Sequence, residues 1–276
     1  MRKHAALGFG TLGLAAAMAV IGTPAQAQTK DGASLSVLHG VPDLTVDVWV
    51  NGERTLDDFA PSELAGPLDL PAGTYTVAIT AADATDDSSP AIGPVDLQLD
   101  AGGNYTVAAH LGEDGAPTAT LFTNDTSPTA AGEGRLVVRH VAAAPAVDVL
   151  AGGSPVITNL ANPDEASLDL PASTVSATVA ATGTTDPVLG PADVPVQEGA
   201  ATIVYAWGSL EDGNLALATQ TVEGLHSAPA GVPTGLTEVP EDGGLSPALW
   251  AGLALVLGTA AVVGTRRLAP QRASRD

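Results

Sequence analysis

The chain spells the same stretch twice. Residues 35–48, LSVLHGVPDLTVDV, return at 136–149 as LVVRHVAAAPAVDV, so that His39 falls on His140, Val46 on Val147 and Asp47 on Asp148. Further along, LDLPAGT (68–74) returns as LDLPAST (168–174), and Ile92-Gly93-Pro94 as Leu189-Gly190-Pro191. NYTVAAHLGEDG (104–115) returns as AATIVYAWGSLEDG (200–213), with two residues inserted. Matching segments in matching order imply two homologous domains in tandem and leave one large fold as the weaker alternative.

Each repeat reads as all-β. In the first, residues 34–39, 44–50, 66–70, 74–80, 95–99, 104–111 and 118–123 have the look of strands. Val46, Val48 and Val50 alternate with Asp47 and Trp49, the period-two pattern of a half-buried strand. Asn51-Gly52 is a favoured two-residue hairpin turn because both positions need positive φ, and Gly152-Gly153 holds the same place in the second repeat. Pro71-Ala72-Gly73 is a further turn signal. Seven short strands punctuated by turns predict an immunoglobulin-like sandwich in architecture alone, since the chain has no cysteine for the antibody core.

The two ends predict a location. Arg2, Lys3 and His4 precede an uncharged apolar stretch, and Ala25-Gln26-Ala27 supplies a small-x-small cleavage pattern, which makes 1–27 a signal peptide. Residues 247–264, PALWAGLALVLGTAAVVG, carry no charge. At roughly 1.5 Å per residue they would cover about 27 Å, enough for the hydrocarbon layer. Trp250 sits where an interfacial aromatic belongs, and Arg266, Arg267, Arg272 and Arg275 place the tail inside. No LPxTG-like motif precedes the span, so the anchor is the helix itself rather than a covalent wall link. The expected order is therefore signal 1–27, a short segment 28–33, a first sandwich 34–124, a linker 125–134 and a second sandwich 135–226. A Pro/Gly-rich stalk 227–246, a transmembrane helix 247–264 and a basic cytoplasmic tail 265–276 complete it. In sum, the expectation is an all-β protein of two tandem immunoglobulin-like β-sandwich domains plus one C-terminal transmembrane helix, held in the cell membrane by a single pass.

Charge follows that division. The chain carries a formal −21, yet only Lys30, Arg54, Arg135 and Arg139 are basic between the signal and the span. So acidic an exported part argues against nucleic acid and anionic lipid as its partners.

The motif HGVPDLTVDVWVNG, followed by LDLPAGTYTVAIT, resembles the bacterial domain of unknown function 4397 family, and the resemblance extends over both repeats, roughly 35–221. The second copy departs from it: Ala143 and Ala144 stand for Pro42 and Asp43, and Ser173 and Val175 for Gly73 and Tyr75. The resemblance implies exported, often tandem, envelope-tethered domains and supplies no catalytic residues. An Ala-rich, Lys-poor composition is also similar to that of proteins from GC-rich actinobacterial genomes.

Candidate chemistry is sparse. The pairs His39/Asp47 and His140/Asp148 could serve acid/base or metal chemistry in an exported hydrolase, or each His could bond a turn while each Asp caps a hairpin. One His and one carboxylate fall short of a zinc ligand set. No G-x-S-x-G elbow or phosphate loop is present. Asp83, Asp86 and Asp87, together with Glu113/Asp114 and Glu211/Asp212, offer oxygen ligands for calcium without an EF-hand pattern. An exposed Trp49 would be the best single contact for a ligand. No catalytic, cofactor-binding or metal-binding residue is assigned and no cofactor is implied. The expectation is a non-enzymatic binding, adhesion or envelope-structural protein, its partners being the membrane through the helix and an envelope polymer or protein ligand. An exported enzyme and a calcium-binding module stand as alternatives.

Overall fold

A computed structural model of the protein describes residues 31–227. The expected signal (1–27), span (247–264) and tail (265–276) lie outside the described residues, as does all of the stalk but residue 227. Among the described residues no helix is long and apolar enough to cross a membrane.

The first repeat folds as β1 (Gly32–Gly40), β2 (Val46–Val50), β3 (Glu53–Phe59), β4 (Leu64–Pro71), β5 (Gly73–Ala81), β6 (Ile92–Leu99), β7 (Asn104–Leu111) and β8 (Pro117–Thr123). The second contains β9 (Glu133–Ala143), β10 (Val147–Ala151), β11 (Ser154–Leu160), β12 (Glu165–Pro171), β13 (Ser173–Ala181), β14 (Pro187–Val196), β15 (Ala200–Ser209) and β16 (Ala216–Glu223). Sheet β4-β1-β7-β8 packs on sheet β3-β2-β5-β6, and β12-β9-β15-β16 on β11-β10-β13-β14. The strand order is the same in both halves. All pairings are antiparallel except β1 with β7 and β9 with β15.

One expectation, the strand count, needs correction. Each sandwich has eight strands rather than seven, because β3 and β11 follow the two-residue turns. Asn51 (φ 53°) and Gly52 (φ 81°) turn the chain so that Val50 pairs with Glu53, and Gly152-Gly153 does the same for Ala151 and Ser154. The sequence ERTLDDF hides its strand because β3 is a sheet edge, exposed along most of its length, and buries only Phe59 fully. The connectivity is not that of an immunoglobulin domain. There the first two strands lie in one sheet, whereas here β1 and β2 lie in opposite sheets.

The central strands of the inner sheets, β1, β7, β9 and β15, are buried on both faces. Along β1 and β7, Leu35, Val37, Tyr105 and Val107 point into the first sandwich with Val48, Ile79 and Leu97. The alternate residues Leu38 and Ala108 point the other way. They meet Val137, Ile203, Tyr205, Trp207 and Val222 of the second sandwich, with Phe122 between them. Leu136, Val138 and Val204 return to the second core against Val149, Val179 and Val194. Three apolar layers therefore alternate with four sheets, and a strand covered on both faces loses the hydrophobic alternation of a half-exposed one. Burying a Phe-sized side chain contributes about 1.5–3 kcal/mol, so the middle layer joins the halves firmly.

Candidate functional site

The histidines and aspartates that the repeat singles out serve different partners. His39 ends β1 and is fully buried, its Nε2 donating to the Leu44 carbonyl at 2.6 Å while the ring stacks on Phe59. His140 repeats the device, donating Nε2 to the Pro145 carbonyl at 3.1 Å and accepting the Ala142 N–H at Nδ1. Each ring thus pins the loop that follows its strand. Burial is the largest influence on both and pulls their pKa values below the ordinary 6.5. Asp47 instead accepts the Arg54 guanidinium at 2.9 Å and the Asp58 N–H at 3.0 Å. Asp148 accepts the N–H groups of Asn159 and Gly183, each at 2.8 Å, and these bonds hold its carboxyl below the ordinary carboxylate range.

Among the described residues no three His, Asp or Glu side chains are arranged to hold a metal ion. Asp86 is engaged by the N–H and hydroxyl of Ser88, and Asp114 by the Ala116 N–H. Trp49 faces away from the first core, as its alternation requires, but is only 8% exposed. Its indole donates to Thr80 Oγ1 at 3.0 Å and Arg54 lies over its ring, so it offers little surface.

What the sequence did not single out is the seam between the sandwiches. Arg139 stands in the apolar run of β9 and is 1% exposed. Its guanidinium donates to Glu165 Oε2 at 2.7 Å, to Tyr205 Oη at 2.8 Å and to Asn124 Oδ1 at 2.8 Å. It also lies 4.3 Å above the Phe122 ring. Tyr205 Oη donates to Gln220 Oε1 at 2.6 Å, and Thr106 of the first sandwich donates to the same oxygen at 3.0 Å. Burial raises the Tyr205 pKa, with Arg139 pulling the other way. A buried cation is tolerable only when it is hydrogen-bonded and a counter-charge is close; here each of the three guanidinium nitrogens has an acceptor and Glu165 is the counter-charge. The available signal was an Arg within the stretch 136–143, which is apolar apart from Arg139 and His140.

The seam sets the sandwiches side by side with like ends together. Asn162 Nδ2 donates to the carbonyls of both Leu111 and Ala142, tying the end of β7 to the end of β9. His110, whose pKa burial also lowers, feels the charge of His140 there. At the other end Thr129 pairs with His226, and Arg135 joins Asp125 to Asp169.

Two concavities flank this arrangement. A cleft of about 670 Å³ lies between the sandwiches, walled by residues 121–123 of β8, 157–160 of β11 and 163–166 at the start of β12. A small cavity of about 40 Å³ lies at the His140 end of the second core, lined by apolar groups including Val179, Leu189 and Leu210.

Among protein families, residues 33–150 match the one described as "Domain of unknown function (DUF4397)". That match takes in all of the first sandwich and the start of the second. Comparison with curated proteins finds no match.

Proposed function

Because the chain belongs, through residues 33–150, to the domain of unknown function 4397 family, we propose that it is an exported, single-pass surface protein carrying two copies of that domain. They form one rigid pair for binding, adhesion or envelope structure, and catalysis is no part of the role. The observation that carries this reading is the seam. Arg139, Tyr205, Gln220, Thr106, Asn124 and Phe122 join two sandwiches of identical strand order through buried polar bonds and an apolar layer. Such a seam suits a rigid presenting module rather than two independently moving beads.

The direction of the strands supports it further. The chain enters at Gly32 and leaves after Glu223 at one end, and a cavity bordered by Ser36, Asn104, Thr221 and Glu223 brings these parts of the two sandwiches together. The loops after β1, β7, β9 and β15 collect at the other end.

The absence of cysteine makes the topology simple to test. Thr185→Cys, on an exposed loop, and Ser274→Cys, in the basic tail, are labelled separately in intact cells with a membrane-impermeant maleimide. Labelling of the first without lysis and of the second only after lysis is expected. A Thr185→Cys variant that stays unlabelled until lysis sinks the surface reading.

A further inference from the structure

Eight strands form the edges of the four sheets, and an unpaired edge is a template for another chain unless something blunts it. Most of them are blunted by their own sequences. Strand β3 (ERTLDDF) is heavily charged; β4 carries Pro67 and Asp69, and β6 carries Pro94 and Asp96. Pro155 interrupts β11, Glu165 and Asp169 charge β12, and β14 has three prolines and Asp193. Strands β8 (PTATLFT) and β16 (ALATQTVE) are different. Strand β8 has no charge, its one proline is at its first position, and Thr, Leu and Phe give it high strand propensity. Strand β16 has only its terminal Glu223.

Each unblunted edge borders a hollow between the sandwiches. The one at β16 measures about 300 Å³ and the one at β8 about 670 Å³. The larger is within the range of ligand-binding clefts, about 300–1,000 Å³. Its opposite wall carries the exposed carboxylates Asp164 and Glu165, and no Lys or Arg is in its lining. The three lining segments are three or four residues each, so at about 3.3 Å per residue the cleft accepts roughly four residues of extended chain.

We propose that this cleft is a strand-addition site, in which the β8 edge pairs with an extended, basic peptide segment of a partner protein. Main-chain hydrogen bonds to β8 supply the affinity, as in other sheet-edge recognition. Alternate side chains of the guest divide between the two walls. One set packs toward Leu121, and the other carries Lys or Arg toward Asp164 and the outer oxygen of Glu165, whose inner oxygen holds Arg139. An acidic guest is excluded by the same two carboxylates. The site does not depend on where the protein resides.

The test uses the full-length chain and a fluorescent ten-residue peptide of alternating lysine and valine. Saturable binding is expected, together with slowed amide exchange confined to β8 and the facing residues 157–166. N-methylation of alternate peptide nitrogens and the Asp164→Lys substitution are each expected to weaken binding about tenfold or more, the equivalent of about 1.4 kcal/mol. An N-methylated peptide that binds unchanged reduces the effect to bulk charge and overturns the proposal. So does exchange protection elsewhere, or no binding at all. Sedimentation that shows β8 protected by a second copy of the chain also overturns it, assigning the edge to self-association.

Discussion

The two sandwiches share every strand pairing and differ in where they keep their bulk. Aligned by register, the first core has Phe59, Tyr75, Ile79, Leu97 and Leu99 where the second has Leu160, Val175, Val179, Val194 and Val196. On the faces that meet, the order reverses. Ser34, Ser36, Leu38, Thr106, Ala108 and His110 of the first lie where the second has Arg135, Val137, Arg139, Ile203, Tyr205 and Trp207. Gly40 of the first extends the pattern, since a Cβ there would come within 3.3 Å of Trp207 Cβ. The duplicated unit has thus moved volume from its second core to its seam. Small residues on one face receive large ones from the other, the interdigitation that close packing demands, while the thinned second core retains cavities of about 40 and 20 Å³. The first sandwich carries the bulkier core side chains, and the second carries the bulkier side chains of the seam.

The sharpest way to break this comparison is to remove the seam's cation. Arg139→Met leaves Glu165, Tyr205 and Asn124 without their shared donor. Breaking a buried charge pair typically costs 3–5 kcal/mol. The Glu165 side chain is 40% exposed and can turn its charge to water, so the loss expected is at the lower end, about 3 kcal/mol. It should fall on the second sandwich first. Urea unfolding followed separately through Trp49 and Trp207, in single-tryptophan backgrounds, should change from one shared transition to two, with Trp207 leading. A variant that still unfolds in one transition, within about 1 kcal/mol of wild type, would show that the second sandwich does not depend on this bond.

Acid provides a second contrast. His39 and His110 in the first sandwich and His140 in the second are all held below 6.5 by burial. Above pH 6.5 neither folded nor unfolded chains carry these protons, and the histidines contribute nothing to the pH dependence. Below it the unfolded state takes up protons that the folded state refuses, so stability falls as pH falls until the depressed folded values are reached. Each histidine contributes at most about 1.4 kcal/mol per pH unit, so the ceiling for the first sandwich, with two, is twice that for the second. In the Arg139→Met background, where the two transitions separate, urea midpoints between pH 6.5 and 5.5 should fall more steeply at Trp49 than at Trp207. His110 Nε2 lies 2.9 Å from Thr120 Oγ1, and His110→Gln, which keeps a polar group there, should bring the two slopes together.

The sequence disclosed the parts of this design that follow local rules. Duplication was visible in matched strings, and the Asn51-Gly52 and Gly152-Gly153 turns in their need for positive φ. Strand β2 was visible because one of its faces is apolar and the other mixed. Strand β3 was not, because an edge strand has too little buried surface to need an apolar pattern. The seam was hidden for another reason. Thr106 and Arg139 are polar yet buried, and the packing of one repeat against the other brings Gln220 to the first and Asn124 to the second. From the sequence, Arg139 was one of four Lys or Arg residues outside the ends. The His/Asp repetition was legible as spacing, while the carbonyls and N–H groups that engage those side chains become apparent only when the loops close.

The smallest expected effect bears most directly on the redistribution of volume. Val179 lines both second-core cavities, and its counterpart in the first sandwich is Ile79. Val179→Ile adds one methyl where space exists; a fully buried methylene contributes about 0.8 kcal/mol, and any crowding subtracts from that. Ile79→Val removes the same group from a filled core and costs about 0.5–1.5 kcal/mol. The two substitutions should therefore have opposite signs, the first raising the melting temperature and the second lowering it. The double variant, with cores exchanged at this position, should lie near wild type, because sites in separate cores add. If Val179→Ile destabilises instead, the second core is packed to its limit around a smaller set of side chains, and the volume on the seam face was gained without loss behind it.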